Sequence, residues 1–205
     1  MKKALLFLLF LFINLRIAQA AEYAPAEAYL TGALNEVITT LKNDPNLGRN
    51  HEQMDVYVTN QIFPKFDMAL LSKSIVGESL WEDASAEDRA SLTDELTLFF
   101  KHLVSKTLAE YDGQTLALNE VITSPNGKNV IVKGNLFDPN DETLPISFRM
   151  AQAPTGWKIY DVSLDGVDLI YTYKSNFKSI LESGGIVQLS SELHKKNQLV
   201  SKVKS

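Results

Sequence analysis

The residue types that most often carry enzyme chemistry are few and scattered in this sequence. Its three histidines, His51, His102 and His194, lie far apart, and none has the spacing of a metal-binding pair. The chain has no cysteine that could act as a nucleophile. It also lacks a Gly-x-Ser-x-Gly turn and a phosphate-binding loop. The sequence therefore does not indicate an enzyme, and we expect no catalytic residues, metal or cofactor.

Acidic side chains are more numerous and form clusters at residues 82–83, 87–88 and 138–142. These clusters fall at predicted turns and at a helix start, where solvation and helix capping explain them better than a catalytic carboxylate pair. Asp161 and Tyr160 remain candidates for acid–base work on an apolar substrate. That hypothesis requires a buried Asp161 with a raised pKa, and a solvent-exposed Asp161 would contradict it.

The first twenty residues have the pattern of an export signal. Two lysines at residues 2–3 precede an apolar run over 4–15, and residues 18–20 read Ala-Gln-Ala, a small-x-small cleavage pattern. The run is too short to span a bilayer. We therefore expect a signal peptide over residues 1–20, cleaved after Ala20. No later window is apolar enough to cross a membrane, so the mature protein is expected to be soluble and periplasmic.

Composition limits the remaining possibilities. The formal net charge is −5, and removal of Lys2, Lys3 and Arg16 makes the mature chain more acidic, which disfavours nucleic-acid binding. With 45% hydrophobic residues the chain is not of a disordered type. Without disulfides its stability must come from a core. We expect one domain over residues 21–195 and a flexible basic tail over 196–205.

Apolar spacings of three and four residues predict helices in the first half. These helices cover residues 26–42, about 51–63, and 67–76. The longest begins at Ser85, whose hydroxyl precedes an acidic first turn as in a capping box, and it ends at Tyr111. Its apolar band is wider than a minimal core-facing stripe, which indicates contacts on more than one side.

From residue 115 the apolar period changes to two, which indicates strands. Short turns, among them Asn126-Gly127, separate four such segments. Consecutive strands joined by short turns form an antiparallel meander. The sequence therefore predicts an α+β fold, in which a curved four-stranded antiparallel sheet packs against a bundle of helices.

The last strand, over residues 157–164, has apolar side chains on both predicted faces. Strict alternation places Trp157 and Ile159 on one face and Val162 on the other. Asp165-Gly166 ends the strand, and Asp168 is a plausible cap for a helix over about 170–184. A final helix over about 185–194 is expected to precede the basic tail.

Two segments resemble the MlaC family of periplasmic phospholipid-binding proteins, also called toluene-tolerance auxiliary proteins. The first segment is residues 66–111, and the second is the last strand with its following helix. The residues that carry the resemblance are Phe66, Asp67, Gly77, Trp81, Ala84, Ser85, Tyr111, Gly156, Trp157, Lys158, Tyr160, Asp161, Val162, Gly166, Val167, Tyr173 and Phe177. The family commonly has Ser in place of Asp168 and Arg in place of Lys174. The resemblance spans roughly residues 23–195.

The resemblance implies a carrier that buries the acyl tails of a phospholipid in an apolar cavity between sheet and helices, with the head group outside. It implies shuttling between an outer-membrane lipoprotein–porin complex and an inner-membrane transporter with an ATP-driven motor, which maintains the lipid asymmetry of the outer membrane. The expected lipid-binding residues are Leu71, Ile75, Phe99, Leu103, Leu108, Val130, Val132, Ile146, Phe148, Met150, Tyr160, Val162, Val167, Ile170, Tyr173 and Phe177.

Periodicity by itself favours a different interpretation of these side chains. The apolar faces of a sheet and its helices usually fill each other, so the same residues could form an ordinary core. Two further alternatives are a small-molecule enzyme with a cone-shaped fold and an exported adaptor that binds only proteins. The adaptor would have a filled core and an exposed apolar patch in place of a cavity.

Overall fold

The computed structural model describes residues 25–139 and 143–204, so the predicted signal peptide lies outside the described residues. Within the described ranges the chain forms six α-helices and one five-stranded sheet. The helices are α1 (Ala26–Asn43), α2 (His51–Tyr57), α3 (Met68–Val76), α4 (Glu78–Asp83), α5 (Ala86–Ala109) and α6 (Leu169–Lys204). None of them combines the length and apolar content that a membrane span needs.

The predicted helix starts are present where the capping residues indicated them. Ser85 precedes α5, and its hydroxyl accepts a hydrogen bond from the Asp88 amide at 3.0 Å. The Asp67 carboxylate accepts one from the Leu70 amide at 2.9 Å and so begins α3. The second predicted helix continues beyond α2 as a π-turn over Val58–Ile62 and a 3₁₀ turn over Phe63–Lys65.

The sheet is an antiparallel meander in the order β1-β2-β3-β4-β5. Its strands are β1 (Thr115–Thr123), β2 (Asn129–Phe137), β3 (Thr143–Ala153), β4 (Gly156–Leu164) and β5 (Val167–Asp168). The four-stranded meander is confirmed, and a short fifth strand is added. It arises because Asp165 and Gly166 both have positive φ, which gives a tight two-residue hairpin in place of a simple strand end.

A bulge in β4 corrects the prediction that its apolar residues lie on two faces. Met150 pairs with Ile159 and Arg149 with Asp161, so the register skips one residue at Tyr160. Such a shift moves the following side chains to the opposite face. Val162 therefore lies on the same face as Ile159, in one apolar cluster, and the strand has one apolar face.

Two buried clusters form the interior. The sheet cluster joins this face of β2–β4 to α1, whose Ala26 and Leu30 are buried against it. The helical cluster lies among α2, α3, α5 and α6. Phe66 packs against both clusters, and it forms a bridge with Ile159 of β4. The two layers therefore meet along β4.

Asp161 also joins the two layers. Its side chain is 1% exposed, and its Oδ1 accepts hydrogen bonds from the amides of Val162 at 3.0 Å and Ile170 at 3.1 Å. The guanidinium of Arg149 contacts Oδ2 at 3.0 Å. The carboxylate that caps the first turn of α6 thus comes from β4, whereas we predicted a cap from Asp168, which instead ends β5 and lies 3.5 Å from Arg149.

The C-terminal helix is longer than predicted. A break at Gly184-Gly185 is confirmed, because Gly185 has φ 63° and ψ −155°. The expected helix end near His194 is wrong, since α6 continues to Lys204. Leu193 and Asn197 are buried on the same side of this last part, and their packing against α5 keeps it helical.

Replacing Asp161 tests the connection between the layers. We expect Asp161→Ala to lower the free energy of unfolding by about 2–4 kcal/mol, because two amides and a guanidinium lose their acceptor. Chemical denaturation measures this change. The matched control is Asp168→Ala, which removes only the longer contact to Arg149 and should cost less than about 1 kcal/mol. Equal losses in the two variants would contradict the assigned role of Asp161.

Candidate functional site

Two adjoining cavities lie between α5 and α6. The first lobe has a volume of about 890 Å³ and the second about 580 Å³, and they share Phe99, Tyr173 and Lys196. Both lie in the size range of pockets that hold small organic ligands. We call the two lobes together the α5/α6 groove.

The second lobe is the more apolar part of the groove. Its lining combines residues of α6 from before and after Gly185 with Phe99 of α5. The lining residues are Phe99, Tyr173, Asn176, Phe177, Ile180, Leu189, Glu192, Leu193, Lys195, Lys196 and Leu199. The kink at Gly185 therefore brings the two parts of α6 to one cavity.

Aromatic rings form the wall that the two lobes share. The ring centroids of Phe99 and Tyr173 are 5.3 Å apart with the planes at 81°, and Phe177 lies 5.5 Å from Tyr173. Edge-to-face packing of this kind holds rings in fixed positions. Burial raises the pKa of the Tyr173 hydroxyl above its usual value. The ammonium of Lys196 lies 4.8 Å from the Phe99 ring centroid, so a positive charge stands at the junction.

The first lobe has a mixed lining. Leu103 and Val200 contribute apolar surface beside the shared rings, while Ser105 and Asn197 are buried polar residues. The complete lining is Gly48, His51, Phe99, His102, Leu103, Ser105, Lys106, Ala109, Glu110, Tyr173, Lys196, Asn197 and Val200. This lobe can therefore contact both polar and apolar parts of a ligand.

A third cavity, of about 560 Å³, lies on the other side of the first part of α6. Ile75, Val76 and Leu181 form its apolar wall, and Lys174 and Lys178 stand among the residues that line it. It shares no lining residue with the α5/α6 groove.

The structure divides the predicted lipid-binding residues among several places. Four of them line the α5/α6 groove: Phe99, Leu103, Tyr173 and Phe177. Ile75 lines the third cavity. Leu71 is buried in the helical cluster, and Leu108 and Ile170 pack against it.

The sheet residues of the prediction belong to the other cluster. Val130, Val132, Phe148 and Met150 are buried against α1, and Ile146 and Val162 pack at the edge of the same cluster. None of these six residues lines the α5/α6 groove. This face of the sheet is filled by α1, and the groove lies between helices, not between sheet and helices as the resemblance implied.

The last two predicted residues lie away from both clusters. Tyr160 is half-buried at the bulge, where burial raises the pKa of its hydroxyl. Val167 of β5 is 61% exposed. Neither lines the α5/α6 groove or the third cavity.

Several groove residues were missed because the last part of α6 was taken as a short helix and a tail. Leu189, Leu193 and Val200, together with Lys196 and Asn197, belong to that part. The apolar spacing of three and four residues continues past His194 and could have revealed the longer helix. Ser105 had no signal in the sequence, because one serine on a helix is ordinary.

Asp161 meets part of the condition set for an enzyme. It is buried, and desolvation raises the pKa of its carboxyl above the ordinary value, while the amide of Ile170 and the Arg149 guanidinium oppose that rise. Both carboxylate oxygens are, however, occupied by structural contacts. Asp161 lines neither the α5/α6 groove nor the third cavity. Within residues 25–139 and 143–204, no group of His, Asp and Glu could hold a metal ion.

The fold and the groove define a binding protein built of one sheet and helices, with a partly apolar site between α5 and α6. A family model described as MlaC protein matches residues 31–195, and this chain belongs to the MlaC family. A phospholipid-binding protein from Ralstonia solanacearum, solved in complex with a phospholipid, has a similar structure with a TM-score of 0.77. The two are 26% identical, and the match covers 87% of this chain and 99% of the other.

The kink that shapes the groove gives a testable consequence. The backbone of Gly185 lies in a region that is essentially restricted to glycine, so we expect Gly185→Ala to lower the free energy of unfolding by about 1–3 kcal/mol. Gly32 in α1 is the control, since a Cβ there would meet nothing within 4 Å. Gly32→Ala should stabilise by about 0.5–1 kcal/mol. A neutral Gly185→Ala in thermal or chemical denaturation would show that the kink is not required.

Proposed function

We propose that this protein is a periplasmic phospholipid carrier, which holds acyl tails in the α5/α6 groove. The observation that carries the proposal is the groove itself, whose apolar lobe around Phe99, Tyr173 and Phe177 offers surface to a ligand without hydrogen-bonding groups. Membership of the MlaC family supports it. So does the phospholipid bound by the similar Ralstonia solanacearum protein.

The energetics of lipid transfer explain why a carrier needs such a groove. Exposure of acyl chains to water costs about 0.8 kcal/mol per methylene, or roughly 24 kcal/mol for about thirty methylenes. Apolar walls remove most of this cost and need no specific chemistry. Because pockets of a few hundred cubic ångströms suit drug-sized ligands, we expect the groove to widen when a two-tailed lipid enters.

The direction and the partners of transport belong to the same proposal. The resemblance to the family supports exchange with an inner-membrane transporter driven by ATP and with an outer-membrane lipoprotein–porin complex. Such exchange would maintain the lipid asymmetry of the outer membrane. The sequence of residues 1–20 supports export to the periplasm.

The first test is mass spectrometry of the protein purified from cells without detergent. We expect a phospholipid in the organic extract at about one molecule per protein, and an intact mass that begins at Ala21. Native mass spectrometry should show the same complex before extraction. A protein that stays free of lipid after expression in a membrane-rich host would contradict the carrier function.

The position of the acyl tails can be tested with two leucines of α5. Leu103 lines the groove and is 38% exposed, whereas Leu98 is 39% exposed and lines neither lobe. Leu103→Asp places a charge against the tails and should lower lipid retention at least about tenfold. Leu98→Asp should leave retention unchanged. Equal retention by the two variants would place the tails elsewhere.

A further inference from the structure

Two buried polar side chains in the first lobe of the groove lack hydrogen-bond partners. Ser105 is 5% exposed and Asn197 is 2% exposed, and both line this lobe. Neither the Ser105 hydroxyl nor Asn197 Oδ1 has a partner among the residues that the structure describes. More than nine in ten buried polar groups in proteins are paired, so two exceptions in one cavity need an explanation.

The hydrogen-bond network fixes which atom Asn197 has available. Its Nδ2 donates to the backbone oxygen of Glu95 at 3.0 Å and to Glu95 Oε2 at 2.8 Å. Both are acceptors, so the amide cannot be turned over without facing oxygen to oxygen. Oδ1 is therefore left as an acceptor that needs a donor. The Ser105 hydroxyl can both donate and accept.

Each of these residues has a lysine next to it in sequence. Lys106 follows Ser105 on α5 and Lys196 precedes Asn197 on α6, and both lysines line the same lobe. The groove thus offers two ammonium groups, a hydroxyl and a carbonyl acceptor at one end. Its other end is lined by Phe177, Leu189 and neighbouring apolar residues.

We propose that the first lobe holds the head group of the lipid, with its phosphate near Lys106, Lys196 and the Ser105 hydroxyl, and a hydrogen-bond donor of the head group on Asn197 Oδ1. This inference rests on the proposed carrier function and adds a head-group preference to it. Phosphate suits the lysines and the hydroxyl. The acceptor on Asn197 suits ethanolamine, which carries N–H groups, or glycerol, which carries O–H groups, whereas choline has neither.

The test compares lipids that differ only in their head groups. Wild-type protein is incubated with dioleoyl phosphatidylethanolamine, phosphatidylglycerol or phosphatidylcholine, and the bound lipid is measured by native mass spectrometry. We expect phosphatidylcholine to be retained about tenfold less than the other two, because it leaves Asn197 Oδ1 buried and unpaired. Equal retention of all three lipids would overturn the head-group assignment and leave the carrier function intact.

A serine pair separates a binding role from a structural one. Ser105→Ala removes an unpaired buried hydroxyl, so the melting temperature should stay the same or rise, while retention of phosphatidylethanolamine falls about tenfold. Ser72 is the control, because it is equally buried but donates to the Met68 carbonyl at 2.7 Å. Ser72→Ala should lower the melting temperature and leave retention unchanged. Unchanged retention in Ser105→Ala would mean that water satisfies this hydroxyl, and would overturn the proposal.

Competition with soluble compounds distinguishes a lipid head group from free phosphate. Inorganic phosphate and glycerophosphoethanolamine carry the polar chemistry without the tails, and we expect neither to displace bound phosphatidylethanolamine at millimolar concentration. Displacement by either would assign the lobe to a soluble phosphate ester and overturn the proposal. Failure of wild-type protein to retain any of the three lipids would instead contradict the carrier function.

Discussion

The contact between β4 and the helices is the constraint on which the rest of the structure depends. The buried Asp161 carboxylate binds the amide of Ile170 in the first turn of α6, and Ile159 of the same strand receives a hydrogen bond from the Asp67 amide at 2.8 Å, just before α3. One strand thus fixes where two helices begin. Because α6 then packs along α5, the position of the groove follows from these few contacts at β4.

The division of the interior into two clusters has a functional consequence. The sheet cluster is closed by Ala26 and Leu30 of α1, so it can act as a rigid support. The helical side is less completely filled, and its open volume lies where α5 faces the kinked α6. A proposed carrier must open and close around its cargo, and helices can shift against each other more easily than strands that share a hydrogen-bond ladder.

Sequence periodicity predicted most of the elements but not the site. A helical period and capping residues such as Ser85 placed α1, α3 and α5, and alternation placed the strands. The bulge at Tyr160 left no mark in the sequence, so strict alternation put Val162 on the wrong face. The groove depends on which helices lie side by side, and that follows from contacts distant in sequence, such as Asn197 with Glu95. Local patterns contain no information about such pairs.

The mixed character of the groove suits a protein that must both bind and release its cargo. A fully apolar cavity would hold tails by burial alone, and its affinity would not depend on the orientation of the lipid. Buried polar groups such as Ser105 and Asn197 lose hydration in the folded protein, so they favour the one orientation that pairs them. Such pairing adds selectivity at a small gain in affinity, since a hydrogen bond contributes only about 1 kcal/mol net. Release to a membrane then remains possible, because the bilayer recovers the burial of the tails that the groove provided.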